Sequence, residues 1–246
     1  MILKVHNLTK HYGGIHALDS CSLEVMPQQI TAIIGPNGSG KTTLFDAITR
    51  IIPVDEGTII LNGKDITDMN DYDVAKSGIS RTFQQVRLFK NLTIKEHLEI
   101  ALKDDDESMF KNTFRAIFRK DNDMKRIKEV LGLVGLDKPL NTYASDLSYG
   151  QRKLLDLAVA IAKPHNILLL DEPVAGVNPK LRVEIVKIIQ RLKDEGETIL
   201  LIEHDMNFVM GLADSVIVLD AGKVIAKGKP EEIQASKKVL EAYLGG

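Results

Sequence analysis

Gly35-Pro36-Asn37-Gly38-Ser39-Gly40-Lys41-Thr42 is the stretch on which the reading of the whole chain turns. It matches the pattern Gly, four residues, Gly-Lys-Thr. It follows the apolar strand pattern Ile30-Thr31-Ala32-Ile33-Ile34 and opens a helical pattern running from about Lys41 to Ile51. A flexible glycine-rich turn would not need that context, whereas a phosphate loop does. The glycines let backbone N–H groups wrap an anion, the helix presents its N-terminus to it, and Lys41 reaches the β- and γ-phosphates of a nucleotide. The Thr42 hydroxyl is then the expected Mg²⁺ ligand, and Thr43 is placed to touch a phosphate.

Working outward, a second anion signature lies far downstream at Leu147-Ser148-Tyr149-Gly150-Gln151. Ser-x-x-Gln is a capping box, so Ser148 and Gln151 start a helix reaching Ala162. A Ser-capped helix with Gly150 allowing close approach is also an anion site, and the two readings are compatible. Beyond it the apolar run Ile167 to Leu170 ends in the acidic pair Asp171-Glu172. Such a pair is a solvated turn in isolation, but beside a phosphate loop it is a candidate for metal binding and general-base work.

The chain has 246 residues, 44% of them hydrophobic, which is enough for one sizeable core. A net charge of −2 implies no overall attraction to nucleic acid. Cys21 is the single cysteine, so no internal disulfide forms; its alternating apolar surroundings mark a small core residue and suit a reducing compartment. Met1-Ile2-Leu3-Lys4-Val5 opens directly into a strand pattern with no signal segment, and no apolar run approaches the ~18 residues of a membrane span. Work at a membrane would therefore require another subunit to hold the chain there.

Strand alternation with a hairpin at Gly13-Gly14 and a second strand from Ala17 to Val25 begins the chain, and Gly57 to Gly63 is a short strand ending in an Asn-Gly turn. From about Thr93 to Lys163 the pattern is mainly helical. Strands return at Ile167 to Leu170, Thr198 to Ile202 and Ser215 to Leu219, separated by helices at Pro179 to Glu195 and Asp205 to Ala213, as parallel crossovers require. A closing strand and two short helices follow Ala221-Gly222-Lys223. The expected architecture is α/β: one domain over 1–246, with a nucleotide-binding lobe at 1–83 and 164–246. That lobe carries a mixed sheet with an N-terminal antiparallel part, and a helical lobe is inserted at 84–163.

The two signatures, in this order, resemble the ATP-binding cassette (ABC) family of P-loop NTPases. The resemblance covers nearly the whole chain and implies two copies sandwiching ATP between the P-loop of one (Gly35, Pro36, Asn37, Gly38, Ser39, Gly40, Lys41, Thr42, Thr43) and Ser148, Gly150 and Gln151 of the other. It implies that Asp171 holds Mg²⁺ through water and that Glu172 polarises the attacking water. Gln84, after Arg81-Thr82-Phe83, aligns with the residue that senses the γ-phosphate and Mg²⁺, with Gln85 as its neighbour in register. His204 aligns with the switch histidine, though a histidine beside a helix cap at Asp205 also has a structural reading. Tyr12 aligns with the aromatic that stacks on adenine, although surface tyrosines are common on such strands. His6, His11, His16, His97 and His165 gain no role. The chain departs from the usual wording at Tyr149, where the family carries glycine, and at Asn178 in Ala175-Gly176-Val177-Asn178-Pro179, where it carries aspartate; a role for that charge is then lost.

The resemblance implies an ATPase with ATP and Mg²⁺ as cofactors, acting as a homodimer or with a sister cassette. Transmembrane permease subunits would hold it at the cytoplasmic side of the inner membrane, with a substrate-binding protein engaged indirectly. Arg81-Thr82-Phe83-Gln84, Leu88-Phe89, Ala175-Gly176-Val177-Asn178-Pro179 and Leu201-Ile202-Glu203-His204-Asp205-Met206 are most similar to the branched-chain amino-acid importer group. Lipopolysaccharide-export and urea-import cassettes share much of this wording. A soluble cassette acting on DNA or ribosomes is the further alternative, disfavoured by the lack of sustained heptads, by the single cassette and by the acidic balance; no nucleic acid partner is expected. Within Lys103 to Lys128, Asp104-Asp105-Asp106-Glu107 precedes Phe110, Phe114, Ile117 and Phe118 at helical spacing, with Lys111, Arg115, Arg119 and Lys120 on other faces. This reads as an amphipathic helix on its own lobe or as a surface for a membrane subunit or anionic lipid. Val86-Arg87-Leu88-Phe89 is the better docking candidate, since coupling must start where ATP is sensed.

Overall fold

The computed structural model describes residues 1–103 and 113–244. Asp104 to Glu107, Phe110 and Lys111 lie outside the described residues, as do the side chains of Phe114, Arg115, Ile117, Phe118, Arg119 and Lys120. The chain forms two compact units, Met1–Arg81 with His165–Pro173 and Ile189–Gly246, and Thr82–Pro164 with Val174–Ile188.

The first unit opens with β1 (Leu3–Tyr12) and β2 (Ile15–Val25), then β3 (Ile30–Ile34), α1 (Lys41–Ile48), β4 (Glu56–Leu61), β5 (Lys64–Asp65), α2 (Asp71–Lys76) and β6 (Ile79–Arg81). The second unit holds α3 (Ile94–Leu102), α4 (Thr113–Val134) and α5 (Tyr149–Ala162). β7 (Ile167–Asp171) belongs to the first unit, and α6 (Pro179–Asp194) begins in the second and ends in the first. The first unit closes with β8 (Ile199–Ile202), α7 (Met206–Met210), β9 (Ser215–Asp220), β10 (Lys223–Gly228), α8 (Pro230–Gln234) and α9 (Lys237–Leu244).

The strands form two sheets, and the N-terminal antiparallel part expected from the sequence is a sheet of its own. One is antiparallel with order β2-β1-β4-β5; the other has order β10-β9-β3-β8-β7-β6 and is parallel except for β10. Every residue of β3, β7 and β8 is buried. Their unbroken apolar text is that of parallel strands covered on both faces. Each fully buried Leu or Ile contributes roughly 1.5–3 kcal/mol. Leu44, Phe45 and Ile48 of α1 share one core with Ile33, Leu169 and Leu200 of one sheet and with Leu3, Leu18 and Ile59 of the other. Cys21 lies in that core, and burial pushes its thiol up to about 12.

Several boundaries differ from the sequence reading. α1 stops at Ile48, because Thr49 caps it and Arg50 turns left-handed at φ 58°. The helix expected from Asp205 to Ala213 is only Met206–Met210, with Asp205 accepting from Phe208 N–H as its cap. Val174–Ile188 groups with the second unit and not with the α/β lobe.

Candidate nucleotide site

The order β3-β8-β7 brings three strand ends side by side, and the residues just beyond those ends make the site. In a parallel sheet ligands sit past the carboxyl ends of the strands. β3 leads into the glycine-rich loop, β8 into Glu203 and His204, and β7 ends in Asp171 with Glu172 next.

Gly35 has φ 153°, and a Cβ there would collide with the Leu219 carbonyl of the adjacent β9, so only glycine lets the loop leave the sheet at this point. Its partner at the far end, Gly40, is the N-cap of α1 at φ 98°. No side chain caps this helix and no acidic residue occupies its first turn. By contrast α3 and α5 both carry full capping boxes, Thr93 with Glu96 and Ser148 with Gln151. The N-terminus of α1 is therefore suited to accept an anion from outside the helix. Lys41 Nζ lies back over the loop, donating to Gly35 O and Pro36 O, each at 2.8 Å, and to Ser39 Oγ at 3.3 Å. Burial lowers the Lys41 pKa, while the nearby charges of Glu172 and Asp171 oppose that. Ser39 is buried, whereas Asn37, Gly38 and Thr42 are exposed and Thr43 is half-buried.

Asp171 is almost fully buried, with 2% of its side chain exposed. Burial raises its pKa, and the Arg81 guanidinium, 2.9 Å from Oδ2, works in the opposite direction. Glu172 adopts φ 47°, a left-handed conformation that costs a glutamate on the order of 1–3 kcal/mol. Its N–H is still tied to Ile202 O at 3.1 Å, so the strained turn is fixed by β8. Glu172 Oε1 lies 3.8 Å from His204 Nδ1, and the histidine side chain is 56% exposed. Lys41, Asp171, Glu172 and His204 thus converge at the carboxyl ends of three central strands of one sheet.

Tyr12 ends β1 opposite Ile15, exposed, with Lys10 Nζ 5.6 Å from its ring centroid. Ala17, two residues further along β2, packs its carbonyl on Gly40, so the hairpin runs alongside the loop.

Gln84, Ser148, Gly150 and Gln151 belong to the second unit. Ser148 Oγ accepts from Gln151 N–H at 3.3 Å and Gln151 Oε1 from Ser148 N–H at 3.0 Å, closing the capping box read from the sequence. A Cβ on Gly150 would lie 2.6 Å from the terminal Cδ2 of Leu181 on α6, so glycine lets that leucine keep its position here. Tyr149, the departure from the usual wording, lays its hydroxyl 3.4 Å from Ala175 O and against Gly176. Asn178 Oδ1 accepts from Leu181 N–H at 2.9 Å and caps α6. That contact needs only an acceptor, which explains how asparagine serves in this position. Ser148, Tyr149, Gly150, Gln151, Gly176 and Asn178 border an open cleft of about 610 Å³.

Three features of the second unit and the strand before it lie outside the roles expected from the motifs. Lys153 Nζ donates to Gln84 O at 3.2 Å, and Asp156, one turn along α5, accepts from Phe83 N–H. The i,i+3 spacing of a cation and an anion on an otherwise apolar helix face was the available signal. His97 is buried, holding Thr93 O with one ring nitrogen and Phe89 N–H with the other, which presents the Phe89 ring at 66% exposure. Arg81 stood out only as part of a motif, and it joins Asp46 and Asp171.

Thr42 and Asp171 are hard oxygen donors, and no group of three or more His, Cys, Asp or Glu able to hold a metal occurs among the described residues. Such donors fit Mg²⁺, which keeps waters and takes phosphate oxygens.

Residues 18–175 match the family model described as ABC transporter, and residues 223–246 match one described as branched-chain amino acid ATP-binding cassette transporter. The high-affinity branched-chain amino acid transport ATP-binding protein LivG of Escherichia coli (strain K12) is 38% identical over 249 residues, covering 99% of this chain and 98% of LivG. Among solved structures, the ADP conformation of MJ1267, an ATP-binding cassette of an ABC transporter, superposes with a TM-score of 0.83 at 33% identity, covering 100% of this chain and 99% of that one. The dimeric post-hydrolysis structure of the cassette MJ0796 bound to ADP and Pi has a TM-score of 0.80 at 26% identity, covering 93% and 99%. The expected fold and chemistry are borne out: this chain belongs to the ABC transporter family, as an ATP-binding, ATP-hydrolysing cassette.

Proposed function

We propose that this cassette drives import of branched-chain or closely related amino acids. It would act as one half of a head-to-tail pair with a second copy or a sister cassette, held at the cytoplasmic side of the membrane by permease subunits. The cargo reading is carried by the 38% identity to LivG along 99% of the chain, and the C-terminal match at 223–246 supports it. The dimer is supported by the MJ0796 structure, and the need for permease partners by the absence, among the described residues, of any helix long and apolar enough to cross a membrane. The exposed Phe89, pinned through its backbone by His97, is our candidate for the contact with the permease.

In this reading the loop amides from Gly35 to Gly40 and the N-terminus of α1 bind the phosphates, and Tyr12 packs on the adenine. Lys41 leaves its loop carbonyls to bind the β- and γ-phosphate oxygens, a charge-assisted contact that strengthens as negative charge develops. Thr42 and Asp171 would hold Mg²⁺, which supplies charge neutralisation at the phosphates. Glu172 accepts a proton from the attacking water while His204 contacts the γ-phosphate and orients Glu172, 3.8 Å away. Ser148, Gly150 and Gln151 serve the nucleotide on the opposite copy. No covalent intermediate is required, since positioning and charge stabilisation suffice for phosphoryl transfer to water.

The test is affinity purification of the tagged chain from gently solubilised membranes, with mass spectrometry of the recovered proteins. Recovery of two polytopic subunits, a sister cassette and an amino-acid-binding protein, with leucine uptake lost on deletion, is the expected result. Partners from envelope lipid export, or ribosomes without a membrane protein, would contradict the importer reading and leave the ATPase chemistry standing.

A further inference from the structure

Arg81 is the last residue of β6, paired with Leu169 of β7, and only 5% of its side chain is exposed. Its planar fork reaches two elements at once. Nη1 donates to Asp46 Oδ1 at 2.6 Å and to Thr49 Oγ1 at 3.0 Å, at the C-terminal end of α1. Nη2 donates to Asp171 Oδ2 at 2.9 Å, at the end of β7, and the Phe45 ring of α1 lies 5.4 Å from Cζ. A permanently charged, rigid guanidinium thus spans the helix that starts at Lys41 and Thr42 and the strand that delivers Asp171. The chain leaves the first unit immediately after it, on the way to Gln84.

We propose that Arg81 is a positioning residue for the ATPase reaction, fixing the Asp171 carboxylate in orientation and in distance from the P-loop helix so that Asp171 and Thr42 present one Mg²⁺ site. The inference rests on the reading of Asp171 as the Mg²⁺ carboxylate. The bond from Arg81 to Oδ2 restrains the orientation of the Asp171 carboxylate. The same cation offsets the cost of holding Asp171 charged where burial disfavours it. Partners that orient a metal-binding carboxylate change metal affinity by about 10- to 100-fold when removed. A purely structural ion pair would change stability and leave the Mg²⁺ requirement untouched.

The experiment titrates MgCl₂ against the purified chain with a fluorescent N-methylanthraniloyl-ATP probe, and repeats the binding in EDTA. Arg81→Met is expected to raise the half-maximal MgCl₂ concentration about tenfold or more while affinity in EDTA stays within about twofold. Arg81→Lys, which keeps the charge but loses the fork, should fall between Arg81→Met and the parent. An unmoved MgCl₂ midpoint in folded Arg81→Met overturns the proposal. If that variant does not fold, an unmoved midpoint in Arg81→Lys overturns it equally. Asp171→Asn separates the two layers. If it shifts the midpoint and the Arg81 variants do not, this inference alone fails; if it leaves the midpoint unmoved, the reading of Asp171 falls and takes the inference with it.

Discussion

Lys41 Nζ rests on two backbone carbonyls at 2.8 Å, poised over the loop it would use to hold phosphate. A charge-assisted contact is worth about 1.5–3 kcal/mol, so Lys41→Ala should lower ATP affinity by roughly ten- to a hundredfold, measured by calorimetry. Unchanged affinity would remove Lys41 from the site. At Asn178 the structure gives the opposite expectation. Its amide oxygen is an N-cap acceptor, and aspartate caps about as well, so Asn178→Asp should leave the melting temperature within a degree or two. A large loss would mean that the amide donor is also used. At this scale the sequence was legible wherever a residue type has one chemical use in its motif, as with Gly35, Lys41 and Asp171. It left the partners of Arg81, Lys153 and His97 unread, because these lie far away in the chain or are backbone atoms.

Helix α5 carries more than the signature at its N-terminus. Asp156 is buried at mid-helix beside Lys153 and accepts from Phe83 N–H; burial pushes its carboxyl up to about 7, against the pull of both partners. An unfolded aspartate titrates near ~3.9, so between about pH 4 and pH 7 the folded chain holds a proton that the unfolded chain has released. The stability this proton contributes is complete below about pH 4 and is lost as the pH rises through about 7. Asp156→Asn keeps the acceptor for Phe83 and removes the titration. The melting temperature of the parent should therefore fall relative to that of the variant between pH 5 and pH 8. A difference that stays flat with pH would show that Asp156 is not the group responsible. Among elements, the parallel strands were readable because strands buried on both faces read as continuous apolar runs. The grouping of Val174–Ile188 with the second unit was not, since the packing of Leu181 beside Gly150 is a tertiary event.

For the whole molecule, the P-loop, Asp171, Glu172 and His204 sit in one unit and Ser148, Gly150 and Gln151 in the other, where Ser148 and Gln151 already satisfy each other as a helix cap. That division is legible in the order of the motifs. The central claim is that hydrolysis occurs between two cassettes with Glu172 removing the proton from water. Its most direct measurement is the solution mass of Glu172→Gln by light scattering with ATP and MgCl₂, alone and combined with Ser148→Arg. We predict twice the mass of one chain for Glu172→Gln and the mass of a single chain when Ser148→Arg is added. A Glu172→Gln chain that binds ATP and remains a monomer, or a double variant that still dimerises, would contradict the account.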